Sequence, residues 1–287
     1  AGAARTLSGI AVVQGALGAY SSALSLHERV LAAMEAIGDR ASAAKTLANI
    51  GATHHKLGDD GRALATYERA LAAHEETGDR AGTASTLGNI ANIHHARGHY
   101  TEALSAHGRA LAAKEALGDR VGMALTLDNI GLVHQELGDH AKALSFHERA
   151  LALQDVSGDR AGRVRTLAHM GLAHFVLGGH TEALSCARRA GEAQALSVRG
   201  LSAEEGSGAR EPLSSVFEVG AMAAAATKDA EQLAYFLEAG RGGALLEGLA
   251  SRDALWGAAV PDGLRADEAT ARAAETRATA ALRKALD

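Results

Sequence analysis

Apolar side chains recur along this chain at three- and four-residue spacing, in short blocks separated by glycine. Leu47, Ile50 and His54 mark one such face, and Leu64 and Tyr67 mark the next. This spacing follows the 3.6-residue period of an α-helix, so each block predicts a helix with one buried face. The blocks are about 16 residues long by this pattern, an ordinary length for a globular helix. The chain therefore predicts helices throughout and no β-sheet.

The blocks form pairs that repeat every 40 residues. Five copies begin at Ala1, Ala41, Ala81, Val121 and Ala161. A glycine closes the first helix of each copy, at Gly18, Gly58, Gly98, Gly138 and Gly178. Four copies end in Gly-Asp-Arg, starting at Gly38, Gly78, Gly118 and Gly158. Glycine adopts the left-handed conformation that ends a helix, and the following Asp can cap the next one. In the second copy we expect helices at about Ser42–Leu57 and Gly61–Glu76.

Small residues recur at fixed places in both helices of the repeat. In the first helix they are Ala11, Gly51, Ala91, Gly131 and Gly171, and in the second they are Ala23, Ala63, Ala103, Ala143 and Ala183. With these landmarks the chain resembles the tetratricopeptide repeat, in the 40-residue form of kinesin light chains and many bacterial sensor proteins. The resemblance covers residues 1 to about 198. It implies an all-α, right-handed superhelix, or α-solenoid, of antiparallel helix pairs that binds other proteins on its concave surface.

The composition agrees with a helical chain and narrows the possible partners. Hydrophobic residues make up 47% of the chain but aromatic ones only 3%, so most apolar side chains are the helix-favouring Ala and Leu. The net charge of −5 disfavours nucleic-acid binding, which needs a basic face. No apolar run is long enough to span a bilayer, and a single cysteine, Cys186, excludes an internal disulfide. We expect a cytoplasmic protein, and because the sequence starts at Ala1, a piece of a longer, bacterial polypeptide.

Fourteen histidines raise the possibility of a metal site. Eight places normally occupied by large aromatic residues in this family hold His54, His94, His134 and His174 in the first helices, and His27, Tyr67, His107 and His147 in the second. Zinc needs three or four ligands that converge on one point, whereas these side chains recur once per repeat. The pattern favours packing of the histidine rings over metal binding, and we expect no cofactor.

The resemblance places ligand-contacting residues on the first helix of each repeat. The polar residues at those places are Arg5, Lys45, Asn49, His55, Lys56, Ser85, Asn89, Asn92, His95, Asp128, Asn129, Gln135, Glu136, Arg165 and His169. Asn49, Asn89 and Asn129 recur at one place, although Asn disfavours a helix interior, and their amides suit the backbone of an extended peptide. Basic residues outnumber acidic ones, which favours an acidic or carboxylate-ended ligand. The alternative is that these are solvated residues repeated by duplication.

The 40-residue pattern fails after about Arg199. Residues 1–200 hold five repeats, 201–250 a connection and a degenerate sixth helix pair, and 251–287 a linker and a C-terminal helix. The string from Phe236 to Glu247 resembles the connector that precedes the CHAT domain, a caspase-like and separase-like protease, in bacterial repeat proteins. That resemblance implies a domain beyond Asp287 that this chain regulates.

Together these features predict a non-catalytic interaction or sensor module. The first hypothesis is a regulatory arm of a CHAT-type protease. The alternative is the repeat sensor of another multidomain protein, such as a signalling ATPase, or a free-standing adaptor. We expect Cys186 to pack within a helix rather than act as a nucleophile, because the equivalent places hold Leu26, Thr66, Ala106 and Phe146 and the local sequence offers no histidine at a spacing that would activate it.

Overall fold

The structure, a computed structural model, describes residues 2–198 and 214–239. This part of the chain is all-helical, as predicted, with twelve α-helices and no strand. They are α1 (Gly2–Ala16), α2 (Tyr20–Ala36), α3 (Arg40–Lys56), α4 (Asp60–Thr77), α5 (Arg80–Ala96), α6 (Tyr100–Leu117), α7 (Arg120–Glu136), α8 (His140–Ser157), α9 (Arg160–Val176), α10 (His180–Val198), α11 (Ser214–Ala226) and α12 (Ala230–Ala239). None of these helices is both long and apolar enough to cross a bilayer.

Consecutive helices pack against each other within two compact units, Ala1–Asp159 and Arg160–Asp287. In the first unit each odd-numbered helix contacts the even-numbered helix that follows it, and α2, α4 and α6 each contact the next odd-numbered helix. In the second unit α9 pairs with α10, α10 contacts α11, and α11 pairs with α12. The helices α3 and α4 begin and end within two residues of their predicted bounds.

The glycine and aspartate landmarks form the predicted helix ends. Gly78 has a φ of 69° in the left-handed region and ends α4. The Asp79 carboxylate then accepts a hydrogen bond of 2.9 Å from the Gly82 N–H and caps α5. Asp119 does the same for Gly122 at the start of α7. Each junction thus satisfies an N–H group that a helix start would otherwise leave unpaired.

Small residues in the first helices make room for rings from the second helices. A Cβ atom on Gly51 would lie 2.8 Å from the Tyr67 ring, and one on Gly220 would lie 2.6 Å from the Phe236 ring. Gly131 stands in the same relation to His147. The residue facing each ring is glycine because a Cβ would occupy the same space.

Histidine takes the ring position in three of the second helices of the first compact unit. His27, His107 and His147 are at most 3% exposed, which confirms their predicted packing role. Among the first-helix histidines, His54 and His134 are also buried, whereas His94 and His174 are half-buried. These imidazoles fill the core places that the family gives to large aromatic residues, and this explains the low aromatic content.

The turn between α11 and α12 has the form of the earlier Gly turns but lacks the glycine. Lys228 takes the left-handed conformation with a φ of 59°, and the Asp229 carboxylate caps α12 by accepting from the Gln232 N–H. In the repeats this place belongs to glycine, for example Gly178 with a φ of 82°. A side chain with a Cβ is strained in this region of backbone conformation.

We expect the substitution Lys228→Gly to raise the free energy of unfolding by about 1 kcal/mol, because it removes the Cβ from a left-handed residue. Urea denaturation followed by circular dichroism measures the change. The substitution Lys228→Ala is the control, since it removes the charge and keeps the Cβ. Equal stability of the two variants would contradict the backbone explanation.

Several predictions fall outside the described residues. They are the connection that begins the 201–250 segment, and the linker and C-terminal helix predicted for residues 251–287. The CHAT-like string from Phe236 to Glu247 is described only as far as Ala239.

Candidate functional site

The first helices of the first compact unit lie side by side. The helix α3 contacts α5, and α5 contacts α7, in addition to the contacts of each with its paired second helix. Residues at the first, fifth, ninth, twelfth and sixteenth places of each repeat share one face of these helices, because those places are three or four residues apart. We call this face of α3, α5 and α7 the first-helix surface.

The asparagines predicted to bind ligand lie on the first-helix surface. Asn89 and Asn92 are exposed, and Asn49 and Asn129 are half-buried. The Nδ2 of Asn129 donates a hydrogen bond of 3.2 Å to the Oδ1 of Asn92, which links α7 to α5. Asn49, Asn89 and Asn129, here called the amide row, therefore place amide groups on three adjacent helices.

The charged side chains of the surface are unevenly distributed. Lys45 and Lys56 are exposed on α3, and Glu136 is exposed at the end of α7. The pKa of the nearby Asp79 carboxyl is lowered mainly by the hydrogen bond from the Gly82 N–H, with smaller contributions from the charges of His74 and Lys45. Ser85, on α5 between the two charged helices, is exposed and neutral.

The prediction that Asp128 lines the groove is wrong. Asp128 is fully buried, and its Oδ1 lies 2.8 Å from the Nδ1 of the equally buried His147. The eighth place of the repeat faces the second helix rather than solvent, and Ala48 and Gly88 hold it in the neighbouring repeats. The carboxylate thus contributes to the packing of α7 on α8 and not to a ligand surface.

The predicted residues at the fifteenth place are directed toward the turn that follows the first helix. The Nδ1 of His55 lies 2.7 Å from the Oδ1 of Asp60 at the start of α4. The ring of His95 lies 6.1 Å from that of Tyr100 at the start of α6. Gln135 is half-buried at the equivalent place on α7. The side chains of His55 and His95 thus lie at the edge of the surface, away from the amide row.

The remaining predicted residues lie on helices other than α3, α5 and α7. Arg165 is exposed and His169 is half-buried on α9, in the second compact unit. Arg5 lies on α1, and its side chain is outside the described set.

Two apolar residues of this surface were missed by the sequence reasoning. Val121 and Leu125 on α7 are 54% and 44% exposed. They share a helix face with Asn129, at i, i+4 and i+8. The sequence prediction included only polar residues at the ligand-contacting places. It therefore omitted Leu125, which is at the same place of its repeat as Lys45 and Ser85. Reading every occupant of that place would have found it.

The thiol of Cys186 is placed as predicted for a packing residue. It is 4% exposed on α10, and burial raises the pKa of the thiol above its ordinary value. A thiol with a raised pKa is a poor nucleophile because little of it is ionised at neutral pH.

Comparison with known proteins gives the same architecture. The tetratricopeptide repeat family model matches residues 2–76, 42–116 and 122–194. No curated protein matches the sequence.

Solved structures share the fold at low sequence identity. BtubC from P. vanneervenii is 22% identical, with 69% of this chain and 82% of that chain covered and a TM-score of 0.63. A signal transduction ATPase with a tetratricopeptide repeat sensor, from Pyrococcus horikoshii, is 16% identical with a TM-score of 0.70; the match covers 81% of this chain but 34% of the ATPase. Repeats of a protein described as a kinesin light chain from Podosopora anserina are 17% identical, with 68% and 97% of the two chains covered and a TM-score of 0.57.

The matched residues contain most of the described helices and extend from the first compact unit into the second as far as residue 194. The helix pairs, the capped Gly-Asp junctions and the small residues opposite buried rings are the physical basis of that match. The chain belongs to the tetratricopeptide repeat family, whose members serve as protein–protein interaction modules.

Proposed function

We propose that the first-helix surface binds an extended segment of a partner protein through the amide row. The observation that carries the proposal is the recurrence of Asn49, Asn89 and Asn129 on three adjacent helices, each at least partly open to solvent. Each amide offers a donor and an acceptor, which matches the alternating N–H and C=O groups of an extended backbone. Because asparagine is unfavourable in mid-helix, its repetition is better explained by binding than by stability.

The charges on this surface favour an acidic or carboxylate-ended segment. Lys45 and Lys56 are exposed on α3, whereas Glu136 is the acidic residue predicted to line the groove that remains exposed. Because Asp128 is buried, basic residues outnumber acidic ones on this surface by more than the sequence indicated. Complementary charge increases the rate of association and selects among partners.

The proposed role is non-catalytic. The tetratricopeptide repeat fold is typically non-catalytic, and the Cys186 thiol is buried with a raised pKa. Binding alone accounts for the arrangement of the amide row.

A triple variant tests the proposal. Asn49→Ala, Asn89→Ala and Asn129→Ala together are expected to abolish capture of the partner from native lysate, with captured proteins identified by mass spectrometry. The matched control is Ser25→Ala, Ser105→Ala and Ser145→Ala, which also replaces three exposed, neutral polar residues at one place, here on the second helices. Circular dichroism tests whether both variants are folded.

A partner held by the parent and the control but lost by the folded asparagine variant would support the amide row as the binding surface. Equal capture by all three proteins would overturn the proposal and leave the asparagines as solvated residues.

Regulation of an attached CHAT-type protease is a second candidate, supported by the sequence string that begins at Phe236. The fold shared with the repeat sensor of the Pyrococcus horikoshii ATPase supports the alternative role of a sensor in a signalling ATPase. A catalytic His and Cys pair, or instead a nucleotide-binding domain, in the full gene would decide between these two contexts.

A further inference from the structure

The three helices of the first-helix surface present different chemistry beside the shared amide row. The α3 face carries Lys45 and Lys56, and the α5 face carries small or amide side chains. The α7 face carries Val121 and Leu125. The surface is therefore asymmetric from α3 to α7, although the repeats that build it are close copies.

The cationic side of the surface is open to a ligand. Lys45 and Lys56 are both exposed, and neither forms an ion pair with another residue in the described part of the chain. The Asp79 carboxylate accepts a hydrogen bond from the Gly82 N–H, which is the main cause of its lowered pKa. The charge of Lys45 also contributes to lowering the pKa of this carboxyl. A ligand carboxylate beside Lys45 would meet its ammonium group, and Lys56 lies about three helical turns further along the same face.

The apolar side of the surface is formed by α7. Val121 and Leu125 are one helical turn apart, and Leu132, on the same face, is half-buried. Single exposed apolar residues are ordinary on protein surfaces. Here they adjoin Asn129, which is hydrogen-bonded to Asn92 on the neighbouring helix, so the apolar patch is continuous with the amide row.

The middle of the surface is low enough for a backbone to cross. On α5 the fifth place is Ser85 and the eighth is Gly88, on whose backbone a Cβ would meet no atom within 4 Å. Asn89 and Asn92 are exposed beside them and can hydrogen-bond a passing main chain.

The spacing of the helices sets the spacing of ligand side chains. Neighbouring packed helices are about 8–10 Å apart, so α3 and α7 are separated by roughly 16–20 Å. An extended chain advances about 3.3 Å per residue. About five or six ligand residues are needed to pass from the lysines of α3 to the apolar patch of α7.

We propose that the first-helix surface selects an extended protein segment with an acidic side chain about five or six residues from a large apolar one. The acidic group lies beside Lys45 on α3, the apolar side chain covers Leu125 and Val121, and the amide row holds the backbone between them. This inference rests on the proposed function and adds the ligand's side-chain chemistry and spacing.

Selection from a random dodecapeptide phage library tests the proposal without a known ligand. We expect selected peptides to share an acidic and a large apolar residue at this spacing. Lys45→Ser and Leu125→Ser both introduce the residue that α5 has at this place, Ser85. Each substitution is expected to lower the affinity for a selected synthetic peptide at least about fivefold. Arg69→Ser, on the exposed side of α4, is the matched control and is expected to leave affinity unchanged.

Salt dependence separates the two contributions. Lys45→Ser is expected to reduce the loss of affinity between low and high salt, since it removes a screened charge interaction, whereas Leu125→Ser is expected to leave it unchanged. Fluorescence polarisation of the labelled peptide measures both.

The outcomes distinguish this inference from the proposed function. The ligand pattern would be overturned if the selected peptides needed the amide row but lacked the paired acidic and apolar residues. It would also be overturned if they bound the Lys45→Ser and Leu125→Ser variants as tightly as the parent. In both cases the proposal of a peptide-binding surface would still hold. If none of the selected peptides depended on the amide row for binding, both the ligand pattern and the proposed function would be overturned.

Discussion

The substitution His147→Phe is expected to lower the free energy of unfolding by about 3 kcal/mol. His147 and Asp128 are both fully buried, with Nδ1 and Oδ1 2.8 Å apart. Phenylalanine fills a similar volume but cannot hydrogen-bond the carboxylate. The cost comes from a buried carboxylate that has lost this bond.

The double variant Asp128→Ala and His147→Phe is the control and is expected to recover most of that loss. It removes the carboxylate and copies arrangements already present in the chain, with Ala48 at the eighth place and Phe236 opposite Gly220. Gly131 leaves space for the ring in the same way. Urea titrations of the parent, Asp128→Ala, His147→Phe and the double variant give a double-mutant cycle. If the double variant were as unstable as His147→Phe, the loss would come from ring packing instead.

Acidification from pH 7.5 to 5 is expected to destabilise the first compact unit by about 2 kcal/mol through His107 alone. His107 is 1% exposed, and its pKa is lowered to about 4, mainly by burial and then by the charges of His95 and Lys114. The unfolded chain takes up this proton near pH 6.5, while the folded chain resists it until about pH 4. Stability is therefore constant above that window and falls as the pH falls through it.

Other groups act in the same direction or outside the window. Burial also lowers the pKa of His27 and His134, which adds to the loss. The Asp79 pKa is lowered too, but the stability that this carboxylate contributes is lost only below its ordinary pKa of 3.8. The acid sensitivity between pH 7 and 5 is thus a property of the buried imidazoles.

The double variant Ala91→Gly and His107→Tyr tests this assignment. It copies the Gly51 and Tyr67 pair, in which glycine makes room for the larger ring. Urea midpoints at pH 7.5 and 5 are compared for each protein, so that any change in packing cancels. The variant is expected to lose about 2 kcal/mol less than the parent on acidification. An unchanged pH dependence would mean that His107 is not the responsible group.

The sequence by itself determined the local structure of this chain. Helix period, the glycine that ends each helix and the Asp that caps the next depend on residues within one turn of each other, so Gly78 and Asp79 behave as predicted. The repeat also identified which helix face is buried, because equivalent residues have equivalent neighbours. The amide row was found for the same reason.

Only the tertiary structure decided which side chains near the boundary of that face are buried and which are exposed to solvent. Asp128 was predicted as a ligand contact because the resemblance places ligand-contacting residues at both the eighth and the ninth place, yet successive side chains on a helix point about 100° apart. The rotation directs Asp128 to His147 on the next helix, where a hydrogen bond offsets its burial. The same geometry leaves Leu125 exposed beside the amide row. Whether a side chain is buried depends on the neighbouring helix. His147 is 19 residues from Asp128 in the sequence, and the local pattern around Asp128 does not show that the two residues are in contact.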